Sequence, residues 1–193
     1  RLVPPPWGDR PSIYAHVRSH VRPGQPGLAE GGAALPDEGR LSQEIRWMPG
    51  AGDGVLGHHG TPGGEAASSV LEALRRVLAR ADAPAVQHLY ALVREHSVVD
   101  YVDPLLERLV GAKALAAGRP RALARWLATR SPDREPVKLG VALLGVGSAE
   151  QDDIDQFLTL GRHEEFTLYA VVALASLDRR WRAAYHRAAP LER

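Results

Sequence analysis

The sequence predicts an all-α protein of seven or eight helices, assembled from a repeated helix pair. Three observations carry that expectation. Segments starting at Val77, Trp126 and Phe157 echo one another: each is a short apolar helix end, a polar turn, and a second helix with an apolar residue, four spacers and Ala-Leu. The anchors are Val86/Ala91/Leu92, Val137/Ala142/Leu143 and Leu168/Ala173/Leu174. A repeated helix pair cannot bury its apolar face alone and must stack on its neighbours. The chain beyond Gly64 is rich in Ala and Leu and carries cap and stop residues at helical intervals. Residues 1–64, by contrast, hold 13 of the 19 Gly and 9 of the 15 Pro. This shift divides the chain into a Gly/Pro-rich arm, 1–64, and a helical-repeat region, 65–193.

Within the arm, Pro4-Pro5-Pro6 reads as an extended start. Residues 11–22 fit a strand or a helix, and Pro11 as a first helical residue favours the helix. Gly and Pro recur too often over 23–40 for a periodic element. A short helix over Leu41–Met48 then leads into the long Gly-rich loop GAGDGVLGHHGTPGG.

Beyond it, Val70, Leu71, Leu74, Val77 and Leu78 share one face of a helix over about 65–80. Asp82 caps a second helix, about 84–96. Asp103-Pro104 marks the start of a third, closed by Gly118, and a fourth spans about 120–130. Ser131-Pro132 opens a fifth that ends near Gly145. Ser148 with Gln151 forms a capping-box start for a sixth, closed by Gly161. A seventh covers about 164–177, and 178–188 extends or follows it. Trp126 and Phe157 align with Val77, which marks them as core.

Bulk properties exclude more than they specify. Apolar residues make up 45% of the 193-residue chain, charged residues 24%, and the formal net charge is +1. No global field drives the chain onto nucleic acid or an acidic membrane. No apolar run nears the roughly 18 residues that span a bilayer. Without Cys there are no disulfides, thiol nucleophiles or Cys-type zinc sites. With no basic-then-apolar leader, these features point to a cytoplasmic protein. The basic residues are all Arg save Lys113 and Lys138, a skew expected of a GC-rich bacterial genome.

The second helices resemble those of HEAT repeats, in which an Asp is followed by Val-Arg/Lys and Ala-x-x-Leu-like spacing. Asp133, Val137, Lys138 and Ala142 carry the match, while Gln87 and Tyr169 replace the basic residue in the other copies. Copies begin 49 and 31 residues apart, so an irregular element must lie between the first two. Armadillo-like solenoids fit equally. The resemblance, over about 65–177, implies a short α-solenoid with a concave face for partners, and by itself no reaction.

The leading expectation is therefore a non-enzymatic protein-binding scaffold without a cofactor, contacting another protein through Gln87, Tyr90, Arg94, Lys138 and Tyr169. A second reading places nucleic acid on the arginines of 75–80, 119–130 and 179–187, since HEAT-like DNA glycosylases use a basic concave surface. The aligned columns Gln87/Lys138/Tyr169 and Arg94/Gly145/Ser176 form no continuous basic stripe, which weakens it. A third reading is a metal-dependent enzyme at Asp53, His58 and His59, on glycine-permitted backbone. His16 and His20 would form a further pair at ligand spacing on a helix. Glu150, Asp152, Asp153 and Asp155 read as helix-start charges that complement the dipole. The Gly run lacks the Lys-Ser/Thr of a P-loop, and Ser68-Ser69 sits in no nucleophile elbow.

Overall fold

A computed structural model describes residues 4–40, 64–80, 82–111, 118–147 and 150–188, without the side chains of Arg40 and of 180–188. Among the described residues the chain is all-α. The helices are α1 (Ile13–Ser19), α2 (Gly64–Arg80), α3 (Ala83–Glu95), α4 (Val98–Gly111), α5 (Arg119–Arg130), α6 (Arg134–Val146), α7 (Gln151–Leu160) and α8 (Glu164–Ala188). A 3-10 turn, Glu38–Arg40, and one antiparallel bridge, Val21 to Leu28, complete the described structure.

Helix α6 is the axis of the packing. It contacts α3, α4, α5 and α8, and Val137, Leu139, Val141, Leu143 and Leu144 are all at most 3% exposed. Helices α2 and α3 pair, as do α5 with α6 and α7 with α8. The second members, α3, α6 and α8, touch in that order. Helix α4 lies against α2 and α6. From the N-terminal region, α1 packs between α5 and α7, and its Ile13 and Val17 are fully buried in the same apolar cluster as the later helices.

Glycines set two of these crossings. A Cβ on Gly140 would lie 2.5 Å from the Ala128 nitrogen and 2.7 Å from the Ala124 oxygen, so α6 meets the backbone of α5 there. A Cβ on Gly145 would lie 2.7 Å from that of Ala173 on α8. Gly145 therefore lies inside α6, at a close approach, and the helix runs on to Val146.

Local cap signals held where the cap is local. The Asp82 carboxylate accepts from the Ala85 N–H at 2.9 Å, and Gly161 ends α7 with its N–H on the Phe157 carbonyl. Helix α8 continues unbroken through 178–188. Three boundary readings differ from expectation, the first being that Glu150 and Asp153, rather than Ser148 and Gln151, form the capping box of α7. Helix α4 begins at Val98, with Pro104 inside it, because its first N–H is capped at 2.7 Å by the Glu135 carboxylate of α6, a partner 37 residues away in sequence. Gly118 precedes α5, at φ +76, rather than closing α4.

The three echoed copies are not equivalent in packing. Val86 and Val137 are 7% and 0% exposed, whereas Leu168 is 50% exposed and its neighbour Tyr169 is buried. Val77 and Phe157 are core as expected, while Trp126 is partly buried against Trp7 of the N-terminal region, ring centroids 4.4 Å apart.

Candidate functional site

Of the residues singled out along the second helices, Tyr90, Arg94, Lys138 and Tyr169 fall in a polar seam, and most of it is interior. Gln87 and Arg94 lie on the surface. Tyr90, Lys138 and Tyr169 are 3%, 1% and 7% exposed, so the expectation that they are surface contacts is corrected. The reason is that α6 has neighbours on every side, and a column chosen to face a partner faces other helices instead.

The seam has two parts. In the first, Asp133 sits just before α6 and is 4% exposed. Arg10 donates to it bidentately at 2.8 and 2.6 Å, and the Tyr90 hydroxyl donates to Oδ2. Arg94 approaches the same oxygen at 3.5 Å. Ser131 Oγ lies 2.8 Å from the Tyr90 hydroxyl, and the Ser131 carbonyl accepts the first N–H of α1, from Ile13, at 2.9 Å. Trp7 closes the group, its ring 4.8 Å from that of Tyr90. Burial opposes ionisation of Asp133, but hydrogen bonds from Arg10 and Tyr90 outweigh it and hold the carboxyl below the usual range. Burial, reinforced by the Asp133 charge, pushes the Tyr90 hydroxyl up, so it stays a neutral donor.

In the second part, Arg134 reaches Asp37 at 3.0 Å, Glu38 at 3.2 Å and Glu165 at 3.2 Å. Lys138, one turn on, pairs with Glu135 at 2.9 Å and Glu165 at 2.6 Å, and its ammonium lies 5.7 Å from the Tyr169 ring centroid. His163 accepts the Glu165 N–H on Nδ1, so its Nε2 carries the proton donated to the Ala33 carbonyl at 3.1 Å.

Chemically, the seam is a clamp. Its cations and carboxylates are matched by charge-assisted hydrogen bonds that join residues 7–38 to the starts of α6 and α8. Its members differ in weight. Arg94 is 39% exposed, and its pair with Asp133 is long. Arg94→Ala is expected to cost less than about 1 kcal/mol in a urea melt, because Asp133 keeps its better partners. A loss above about 2 kcal/mol would show that Arg94 neutralises Asp133 in its own right.

The other candidates fall out as follows. Asp153 lies in the first turn of α7 as expected of a helix-start charge, and it is also fully buried: Arg121 and Arg125 of α5 hold it at 2.7 and 2.8 Å, and it accepts the Glu150 N–H at 2.8 Å. Burial opposes its ionisation, but these donors outweigh it and keep it ionised below the usual range. Two arginines of the 119–130 cluster are thereby used within the protein. The His16 and His20 rings lie 4.5 Å apart, and burial, then the neighbouring His20, lowers the pKa of His16. Among the described residues, no group of three His, Asp or Glu side chains could hold a metal ion. Asp53, His58 and His59 lie outside the described residues. No described helix is long and apolar enough to cross a membrane.

Sequence reasoning missed one surface. Leu158 of α7 and Leu168, Val171 and Val172 of α8 are 56%, 50%, 57% and 54% exposed. Beside them a groove of about 540 Å³ runs between α7 and α8 over Phe157, Gly161, Ala170 and Leu174. Its far wall is the turn Gln25–Gly27, tied down by Arg162, which donates to the Gln25 carbonyl at 2.5 Å. The spacing of 168, 171, 172 and 175 was a usable signal. The repeat alignment uses only Leu168 of this set, as an anchor beside Ala173 and Leu174.

No protein-family model, no curated protein and no solved structure matches this chain.

Proposed function

We propose that this chain is a non-enzymatic protein-binding module, a short HEAT-like helical stack whose partner docks on the outer face of α8. The observation that carries this reading is the row of half-exposed Leu168, Val171 and Val172, continued by Leu158. Single exposed apolar residues are ordinary, but four side by side next to an apolar groove mark a contact surface. In a stacked repeat, the end of the row must be polar or be covered. The row α3, α6, α8 ends on an apolar face.

The occupant that fits is an amphipathic helix of another protein, laid along the α7–α8 groove with its apolar residues at helical spacing. Arg162 on the groove wall and Arg179 farther along α8 favour a partner with acidic flanks. The contact surface thus moves from the seam to α8, and Tyr90, Lys138 and Tyr169 become its internal support. A bacterial, cytoplasmic setting belongs to the same reading, on the Arg-for-Lys skew and the absence of Cys.

The test is the double variant Leu168→Glu/Val171→Glu. Both positions are about half exposed, so far-UV circular dichroism and Tm should stay within about 2 °C of the parent. Affinity for a partner co-purified from the native host and then titrated as pure protein should fall more than about tenfold. Unchanged affinity would remove the α8 face from the interface.

A further inference from the structure

A second surface lies on a different side, where α1 packs against α5. The crevice between them is a groove of about 540 Å³ lined by Ser12, Tyr14, Arg18, Ser19, Thr129 and Arg130 among others, and no carboxylate is among its described lining residues. Its two guanidinium groups are exposed, and neither meets a partner among the described residues. That sets them apart from their neighbours. Arg10 is held by Asp133, Arg22 donates to the Gln25 side chain and the Leu28 carbonyl, and Arg119 donates to the Leu78 carbonyl. Arg121 and Arg125 are held by Asp153. Arg18 and Arg130 each lie in the last turn of a helix, where a cation complements the dipole. The dipole explains one cation at each end. It does not explain why both open onto one groove with no acid among its described lining residues.

The hydroxyls sort by the hydrogen each has left to give. Ser19 Oγ donates to the His16 carbonyl and Thr129 Oγ1 to the Arg125 carbonyl, both at 2.8 Å, so their protons are spent. Ser12 Oγ accepts the Ala15 N–H at 3.1 Å, which leaves its own proton available. Among its described lining residues the groove therefore offers two guanidinium forks and the Ser12 and Tyr14 hydroxyls as donors, and no competing anion.

We infer that the α1–α5 groove binds a phosphate monoester, its phosphate held between Arg18 and Arg130 with the Ser12 hydroxyl as a third donor. Two guanidinium groups match the charge of about −1.5 to −2 on such a phosphate at neutral pH, and their planar forks suit its oxygens. The groove is several times larger than a phosphate, so it has room for part of the organic group beside Tyr14 and Ala15. A polynucleotide fits less well. Along the neighbouring stretch of α5, the Arg121 and Arg125 charges are already balanced by Glu150 and Asp153. Two free cations would give a single strand a salt slope of only about −1.4.

The experiment measures Tm and titration calorimetry on the full chain at constant ionic strength, with inorganic phosphate, adenosine 5′-monophosphate, adenosine, and a single-stranded DNA 20-mer. Phosphate and the monophosphate should raise Tm above chloride and adenosine controls. Arg18→Gln and Arg130→Gln should each weaken binding about tenfold, because each removes a charge-assisted contact. Arg75→Gln, which alters another exposed arginine away from the groove, should bind like the parent. Both groove positions are exposed and unpaired, so the variants should melt with the parent when no ligand is present. No Tm rise with phosphate, or an equal rise in the groove variants, overturns the site. DNA binding with a slope much steeper than −1.4 overturns the monoester in favour of an extended strand. The Leu168→Glu/Val171→Glu variant should bind phosphate normally, which separates this site from the α8 face.

Discussion

Gly140→Val is expected to leave the chain without a stable fold, and Gly140→Ala to lose about 2 kcal/mol in urea denaturation. A Cβ at this position meets the backbone of α5, at the Ala128 nitrogen and the Ala124 oxygen, 2.5 and 2.7 Å away. Backbone atoms cannot rotate aside as a side-chain tip can, so α5 and α6 would have to separate. Alanine recovers about 1 kcal/mol of helix propensity, whereas overpacking in a close crossing costs about 1–3 kcal/mol and here acts against main chain. Valine adds two methyl groups to the same contact. Gly111→Ala is the control. Gly111 is the last residue of α4, and a Cβ there would meet nothing within 4 Å, so this variant should be neutral or slightly stabilised. If Gly140→Ala proved as stable as the parent, this contact would not set the α5–α6 separation.

Asp133→Ala should cost about 3 kcal/mol and loosen the N-terminal region before the helices. Removing one partner of a buried ion pair leaves the other charge uncompensated, which typically costs about 3–5 kcal/mol. The lower end applies because Arg10 is 25% exposed and can regain water, and because Tyr90 keeps Ser131. Amide exchange should therefore accelerate over 7–20 before it does in α6, and uniform exchange would place Asp133 outside the clamp. The pH dependence follows from the same pairing. The folded carboxyls of Asp133 and Asp153 titrate below the ordinary carboxylate value. Their contribution is complete above the unfolded pKa of about 4 and is lost as pH falls through the lower folded value. Stability should thus drop steeply below about pH 4, and the drop should be shallower in Asp133→Ala and in Asp153→Asn.

How much of this was legible in the sequence depends on the distance over which each feature is decided. The helices of 64–188 were readable because their signals are local. Asp82 caps α3, Gly161 ends α7, and Val70, Leu71, Leu74 and Val77 line one face of α2 at helical spacing, all buried. The start of α4 was not readable, because its cap is a carboxylate from α6. Asp133 and Asp153 look like ordinary helix-start residues in the chain. They become buried anions only because Arg10, Arg121 and Arg125 arrive from other elements.

The candidate site shows the same division. Aligned copies placed Gln87, Lys138 and Tyr169 in one column and Arg94 in another, and the structure sets Tyr90 and Arg94 on Asp133, and Lys138 against Tyr169. Their burial was not in the alignment, since it depends on how many neighbours surround α6. The exposed face of α8 eluded the alignment for the converse reason. Leu168 aligns with Val86 and Val137, but the face of α8 that carries it is half exposed, whereas α6 packs against four helices.

By itself, then, the sequence determined that the chain is helical, where most helices begin and end, and which face of each is apolar. Those properties follow from side-chain period, caps and glycines within a few residues of one another. The tertiary structure alone decided which apolar faces are covered, which acids are buried and which arginines are left unpaired. Burial and pairing belong to neighbours distant in the chain. The same residue type at the same repeat position therefore becomes core in α6 and surface in α8.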